Sequence, residues 1–279
     1  MKGSGLQDLQ NARDERALPI DQVGVSGLRV PIVVLDRQRG RQETVAQITL
    51  SVNLPHHFKG THMSRFIEVL NRHRGEVTMN TVPAILADLK ACLAAESAMV
   101  EVAFPYFLER EAPVSKAKAL MDYECRFVGE ANGRRDDFIL GVAVPVTSVC
   151  PCSKAISDYG AHNQRGRLEI QVRCRKRRSG GRDLVWIEEL IEIAEASASA
   201  PVFAMLKRSD ERHVTMQAYD HPVFVEDMVR NAAGALKNDP RISWFRILAV
   251  NQESIHNHNA FARLEWKRPG PGKGRRSDR

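Results

Sequence analysis

The chain has 279 residues, 43% of them apolar and 27% charged, an ordinary globular composition with room for one large domain or two of about 100–150 residues. No apolar run approaches the roughly 20 residues that cross a bilayer, and residues 1–19 are polar with no apolar segment for a signal peptide, so a cytoplasmic location is expected. Of the formal charge of +7, Lys267, Arg268, Lys273, Arg275, Arg276 and Arg279 against Asp278 carry +5 and leave +2 for the rest, which argues for a charged tail and against a nucleic-acid-binding body.

Residues 1–24 show no periodicity and are expected to form a mobile arm. Ile48, Leu50, Val52 and Leu54 alternate with Thr49, Ser51 and Asn53, the pattern of a half-buried strand. Ser64 is a candidate cap for a helix carrying Phe66, Ile67, Val69 and Leu70. A second helix follows with Val82, Ile85, Leu86, Leu89 and Leu93 at helical spacing, and Cys92 on the same stripe reads as a buried structural thiol. Strands return over 100–108 and 118–128.

The second half repeats this order. An apolar run at 138–146 leads into a turn, and Leu168, Ile170, Val172 and Cys174 alternate as a strand. The basic cluster 173–182 runs into Ser179, Gly180 and Gly181 and reads as a hairpin or loop tip. One helix is expected over 184–196 and another from Pro222, with Val225, Met228, Val229, Ala232 and Leu236 on its stripe. Strands at 244–250 and 259–266 close the pattern, and the Gly- and Pro-rich tail 267–279 is expected to be disordered. Two rounds of strand pair, helix pair and strand pair predict an α+β protein with antiparallel sheet and helices layered on one face. The expected division is 25–132 and 133–266, with most site residues in the second part.

Five cysteines (Cys92, Cys125, Cys150, Cys152, Cys174) in a chain of this kind argue for reduced thiols rather than a disulfide framework. The most informative stretch is PVTSVCPCSK at 145–154, continuing as AISDYGAHNQ at 155–164. It presents Cys150 and Cys152 on either side of Pro151, with His162 downstream. Thiolate and imidazole begin a zinc-type site, which needs three or four such donors; the same spacing also suits two ordinary, partly buried cysteines. The stretch NQESIHNH at 251–258 offers Glu253, His256 and His258, groups suited to moving protons near neutral pH, or a polar surface loop. The run KRSDERH at 207–213 has the character of a solvated helix end, whereas Glu226 stands among apolar neighbours.

Taken together, these segments resemble the type IB GTP cyclohydrolases, a family of tunnelling-fold enzymes. The matching stretches are KGTHMSRF at 59–66, VPVTSVCPCSK at 144–154, SDYGAHNQR at 157–165, LKRSDE at 206–211, FVED at 224–227 and QESIHNH at 252–258. They span residues from about 25 to 266, and the sequence departs from the family pattern mainly in a longer, more basic loop at 175–182. The resemblance implies a tunnelling fold of two tandem ββααββ units per subunit, and a homotetramer with active sites between subunits. It also implies GTP as substrate, hydrolysed at C8 with loss of formate and re-closed to 7,8-dihydroneopterin triphosphate for pterin and folate synthesis.

Carried over by position, Cys150, His162 and Glu211 become ligands of one divalent metal per subunit, with zinc, manganese and ferrous iron all open. Cys152 becomes a second functional thiol, and Glu253, His256 and His258 become acid–base groups. Glu226 becomes the guanine anchor, with Lys154, Arg65 and Arg165 as triphosphate contacts. Two alternatives compete with this reading. One is a tunnelling-fold nitrile reductase with a catalytic Cys150 or Cys152 and NADPH. The other is a nucleic-acid-binding protein in which the Cys-Pro-Cys segment holds structural zinc.

Overall fold

The computed structural model of the chain describes residue 10 and residues 12–133, 136–177 and 180–269. Its elements in order are β1 (Ile20–Asp36), β2 (Gly40–Leu54), α1 (Met63–Arg72), β3 (Gly75–Glu76), α2 (Val82–Leu93), β4 (Ser97–Glu111), β5 (Lys118–Asn132) and β6 (Asp136–Val149). There follow α3 (Pro151–Ile156), β7 (Asn163–Cys174), α4 (Ile187–Ala196), β8 (Ala200–Pro201), α5 (Arg208–Asp220), α6 (Val225–Asn238), β9 (Ile242–Gln252) and β10 (Asn259–Lys267). With the two-residue strands and α3 and α5 set aside, this is ββααββ twice over, the expected α+β arrangement. The described residues form two compact units, one from Met1–Pro105 with Arg126–Ile139 and the other from Tyr106–Cys125 with Leu140–Arg279.

In the first unit β1 pairs antiparallel with β2, β2 with β4, and the short β3 lies parallel to β1. The alternation read in the sequence puts Ile48, Leu50, Val52 and Leu54 into the core, facing Phe66, Val69 and Leu70 of α1 and Val82, Ile85, Leu86 and Leu89 of α2. Each such side chain contributes about 1.5–3 kcal/mol on burial. Helix α2 comes so close to β5 that a Cβ on Gly129 would stand 2.3 Å from Val82 Cγ1, so a glycine is required there. The turn between β1 and β2 is tight. Asp36 accepts the backbone N–H groups of Gln38 at 2.8 Å and Arg39 at 2.7 Å, and Gly40 completes the turn at φ 79°.

In the second unit β6 pairs with β7, β7 with β9, β9 with β10, all antiparallel, and β8 adds to β6. Leu168, Ile170 and Val172 of β7 and Ile247 and Ala249 of β9 are buried, and α6 covers β9 and β10 with Val225, Met228, Val229, Ala232 and Leu236. Beneath α4 the polar groups are paired. Tyr106 donates to Glu188 at 2.8 Å, Tyr123 donates to Glu195 at 3.1 Å, and Arg110 also binds Glu195. Burial, with the Glu195 charge beside it, pushes the Tyr123 phenol above its usual range.

Several local expectations change. Strand β1 starts at Ile20, inside the segment expected to be an arm, and Arg13 bridges Phe58; residues 1–9 and 11 lie outside the described residues. Ser64 is inside α1, whose cap is His62. Helix α4 starts at Ile187 rather than at 184, and α6 starts at Val225 rather than at Pro222. Cys92 is half-buried, not buried, with the Arg72 guanidinium 3.0 Å from its sulfur. The charged run at 207–213 opens a full helix, α5. The basic loop, by contrast, closes as the expected hairpin through Lys176 and Arg182, with residues 178–179 outside the described residues. Of the expected tail, Lys267 ends β10 and Arg268 donates to carbonyls of Ile242, Lys237 and Asp239, while 270–279 lie outside the described residues.

Candidate active site

The connection from β6 to β7 holds the cysteines. Cys150 caps α3, its sulfur accepting the Ser153 N–H at 3.4 Å, and Pro151 takes the first helical position, where no N–H is needed. The Cys150 N–H donates to the His162 carbonyl at 3.1 Å, and the His162 N–H donates to Ser153 Oγ at 3.2 Å. These bonds extend the β6–β7 ladder beyond the Val149–Asn163 pair and hold Cys150 and His162 side by side. Both are half-buried, and Cys152 is exposed on α3.

The end of β9 comes to the same place. His162 Nδ1 lies 3.0 Å from Gln164 Oε1 and 3.4 Å from Ser254 Oγ, and Gln164 Nε2 donates to Glu253 Oε1 at 3.5 Å. His256 and His258 stack with ring centres 5.1 Å apart, both exposed. The strand pair that brings these loops together is locked from within. Asn251, 2% exposed, donates to Ser148 Oγ at 3.3 Å, and Ser148 donates to the Val223 carbonyl at 3.0 Å. Gly166 sits opposite Asn251, and a Cβ there would meet Asn251 Oδ1 at 2.6 Å.

Helix α5 brings Glu211. Val149, Ala200 and Ala218 form a small apolar cluster with Ala161 and Val214 packed against it. Residues 211, 214 and 218 share one helical stripe, so Glu211 stands one turn from Val214, while Cys150 and His162 directly follow Val149 and Ala161. The neighbouring carboxylate, Asp210, is fully buried. It accepts the N–H groups of Val114 and Ser115 at 2.8 Å, of Lys207 at 2.9 Å, and the Ser115 hydroxyl. Burial alone would raise its pKa, but the Ser115, Lys207 and Val114 donors outweigh burial and hold it well below the carboxylate range. Asp210 thus clamps the start of α5 to the 112–117 turn and fixes where Glu211 begins.

The remaining expected residues are more scattered. Glu226 is exposed in the first turn of α6. Lys154 donates to the Tyr219 carbonyl at the end of α5, with its ammonium 4.1 Å from the Tyr219 ring centre. Arg165 is exposed on β7. Arg65 belongs to the first unit, where it donates to the Cys92 carbonyl at 3.2 Å. Among the described residues no three His, Cys, Asp or Glu side chains converge closely enough to hold a metal ion. Cys150, His162 and Glu253 are thus joined through short links, and Glu211, on α5, is not among them. Sequence reasoning singled out neither Gln164 nor Asp210, though both lie in matching stretches; Gln164 falls two residues after His162, on the same side of a strand.

In architecture the chain is similar to solved uricases. That from Arthrobacter globiformis superposes with a TM-score of 0.51 at 9% identity, over 92% of this chain and 96% of that one. That from Bacillus fastidious gives 0.52 at 9%, over 88% and 92%. At this identity the likeness speaks for the fold alone. Fold and site together define a tunnelling-fold protein with a thiol, an imidazole and a carboxylate brought near one another where β6 and β9 end and β7 begins.

The sequence narrows that class. The family model for type I GTP cyclohydrolase folE2 matches residues 6–262. The GTP cyclohydrolase FolE2 of Syntrophotalea carbinolica is 51% identical over 261 residues, 94% of this chain and 95% of the relative. That of Syntrophus aciditrophicus is 52% identical over 258 residues, 92% and 98%, and that of Methylococcus capsulatus 50% over 264, 95% and 96%. The chain belongs to the type I GTP cyclohydrolase folE2 family.

Proposed function

We propose that this protein is a GTP cyclohydrolase. It opens the imidazole ring of GTP by hydrolysis at C8, releases formate and re-closes the product to 7,8-dihydroneopterin triphosphate, the entry to pterin and folate synthesis. The observation that carries the reading is the linked set Cys150, His162, Gln164 and Glu253, found in a chain that is half identical to relatives of that name over nearly its whole length. Family membership selects this reading over the nitrile reductase and nucleic-acid-binding alternatives.

One divalent ion per subunit, zinc, manganese or ferrous iron, fits the donors present in kind: the Cys150 thiolate, the His162 imidazole and the Glu211 carboxylate would hold it. Such an ion, when bound, lowers the pKa of a coordinated water to about 7 and supplies a nucleophile at neutral pH. The chain's own groups do the rest. Glu226 accepts two hydrogen bonds from the guanine N1–H and 2-amino group, fixing the base. Cys152, His256 or His258 protonates N7, which makes C8 attackable, and with Glu253 these groups serve the later proton transfers of ring opening and re-closure. Lys154, Arg165 and Arg65 supply positive charge for the triphosphate.

Cys152, Glu211, Glu226, His256 and His258 are all exposed, and beside them Ile156, Tyr159 and Ile255 are 85%, 94% and 64% exposed. A site that shields its substrate and its proton transfers from bulk solvent needs those faces covered, and apolar side chains this exposed fit contact with another subunit. A homotetramer with active sites between subunits meets both needs, with Arg65 contributed across the interface. No helix among the described residues is long and apolar enough to cross a membrane, and a cytoplasmic setting suits the free thiols. The test is to incubate the purified, metal-reconstituted protein with GTP, oxidise, and measure neopterin fluorescence with released formate. The signal should vanish with a chelator and return with Zn²⁺ or Mn²⁺; silence with every divalent metal tried, from a folded tetramer, overturns the proposal.

A further inference from the structure

We propose that Gln164 is a positioning residue whose amide transmits the orientation of the Glu253 carboxylate to His162, holding that imidazole as its Nδ1–H tautomer with the Nε2 lone pair presented to a cation. The inference rests on the reading of His162 as a metal ligand. A carboxylate only accepts hydrogen bonds, so the Gln164 group facing Glu253 Oε1 at 3.5 Å must be the NH₂. The amide carbonyl then faces His162 Nδ1 at 3.0 Å, and because a carbonyl also only accepts, Nδ1 must carry the proton. The Ser254 hydroxyl, 3.4 Å from the same nitrogen, can donate or accept and does not decide the matter.

Burial makes the arrangement stick. Gln164 is 8% exposed, and its strand is held by the Gly166–Asn251 pairing just below. The amide therefore has little water to turn to if its orientation is reversed. Glu253 accordingly acts on the metal site without being a ligand, through a side chain that cannot itself ionise.

The experiment compares wild type, Gln164→Leu and Gln164→Glu, each metal-free, ¹⁵N-labelled in histidine and matched for fold by circular dichroism. At pH about 8, above the ordinary histidine value, two-bond proton–nitrogen correlation spectra report the tautomer of His162, assigned through His162→Asn. Wild type and Gln164→Glu should show Nδ1–H, because a carboxylate at 164 still accepts that proton. Gln164→Leu should pass to Nε2–H and bind Zn²⁺ about 10–100-fold more weakly by competition with a chromogenic chelator. A leucine variant that keeps the Nδ1–H tautomer overturns the proposal, whatever its affinity. If wild type binds no metal while the leucine variant changes tautomer, the metal reading falls and the role of Gln164 in setting the imidazole stands.

Discussion

The two halves of the chain follow the same order of strands and helices, yet they connect those elements differently. In the first unit β1 turns into β2 through residues 37–39, closed by Asp36 and Gly40, and α1 passes to α2 through residues 73–81, which hold only the short β3. In the second unit the corresponding connections carry α3, between β6 and β7, and β8 with α5, between α4 and α6. Cys150, Cys152, Lys154 and His162 lie in or border the first of these longer connections, and Glu211 lies in the second. The proposed metal donors Cys150, His162 and Glu211 sit in connections longer than their counterparts in the first repeat, while the strands and paired helices serve both repeats as frame.

That contrast can be broken or sharpened experimentally. The largest effect should come from Cys150→Ala or Glu211→Ala, either of which should cost more than about 10²-fold in turnover together with bound metal, read by neopterin assay and elemental analysis. Normal metal content and turnover in Cys150→Ala would remove the central assignment. Glu226→Ala should keep the metal and raise KM for GTP by about 10–100-fold, the loss of one charge-assisted interaction; an unchanged KM places the guanine elsewhere.

Asp210→Asn tests whether α5 is merely carried along or held. It should lower the thermal midpoint by several degrees and also reduce turnover, because Glu211 follows the clamp directly. The pH dependence has a definite sign. A carboxylate whose folded pKa is depressed stabilises fully above its unfolded value of about 4 and loses that contribution as pH falls toward the folded value. The gap in midpoint between wild type and Asp210→Asn should therefore be constant from pH about 8 to 5 and shrink in more acid solution. A gap that widens on acidification refutes the assignment. The smallest effect belongs to the short turn of the first repeat: Asp36→Ala should cost about 1–2 kcal/mol by urea unfolding and leave turnover per folded molecule unchanged.

What could be read from the sequence depended on how regular each segment's burial is. The alternation at 48–54 and 168–174 and the stripe of α6 became strands and helix as expected. Strand β1 was hidden because its first half is largely exposed and its pairing with β2 shifts register between Val25 and Leu28, with Gly27 at φ 73°; no period-2 signal survives that. Helix α5 buries only Asp210 and Ala218, so a helix with no apolar stripe read as a run of charge. Of the site, the Cys150–His162 neighbourhood was legible as a motif. The Gln164–Glu253 link was not, because it joins residues far apart in sequence through a strand pairing that only the folded chain displays.

The packing of Gly166 against Asn251 has a consequence for how this chain can change over generations. The carboxamide fills the space a side chain at 166 would need, and it is also tied to Ser148 on β6. Mutational routes through the two positions are therefore ordered. A lineage that shortens residue 251 first meets the smaller barrier to enlarging residue 166, but it loses the β6 tie in that interval. The two sites drift as one, and Gly166→Ala should destabilise less in an Asn251→Ala or Asn251→Gly background than alone.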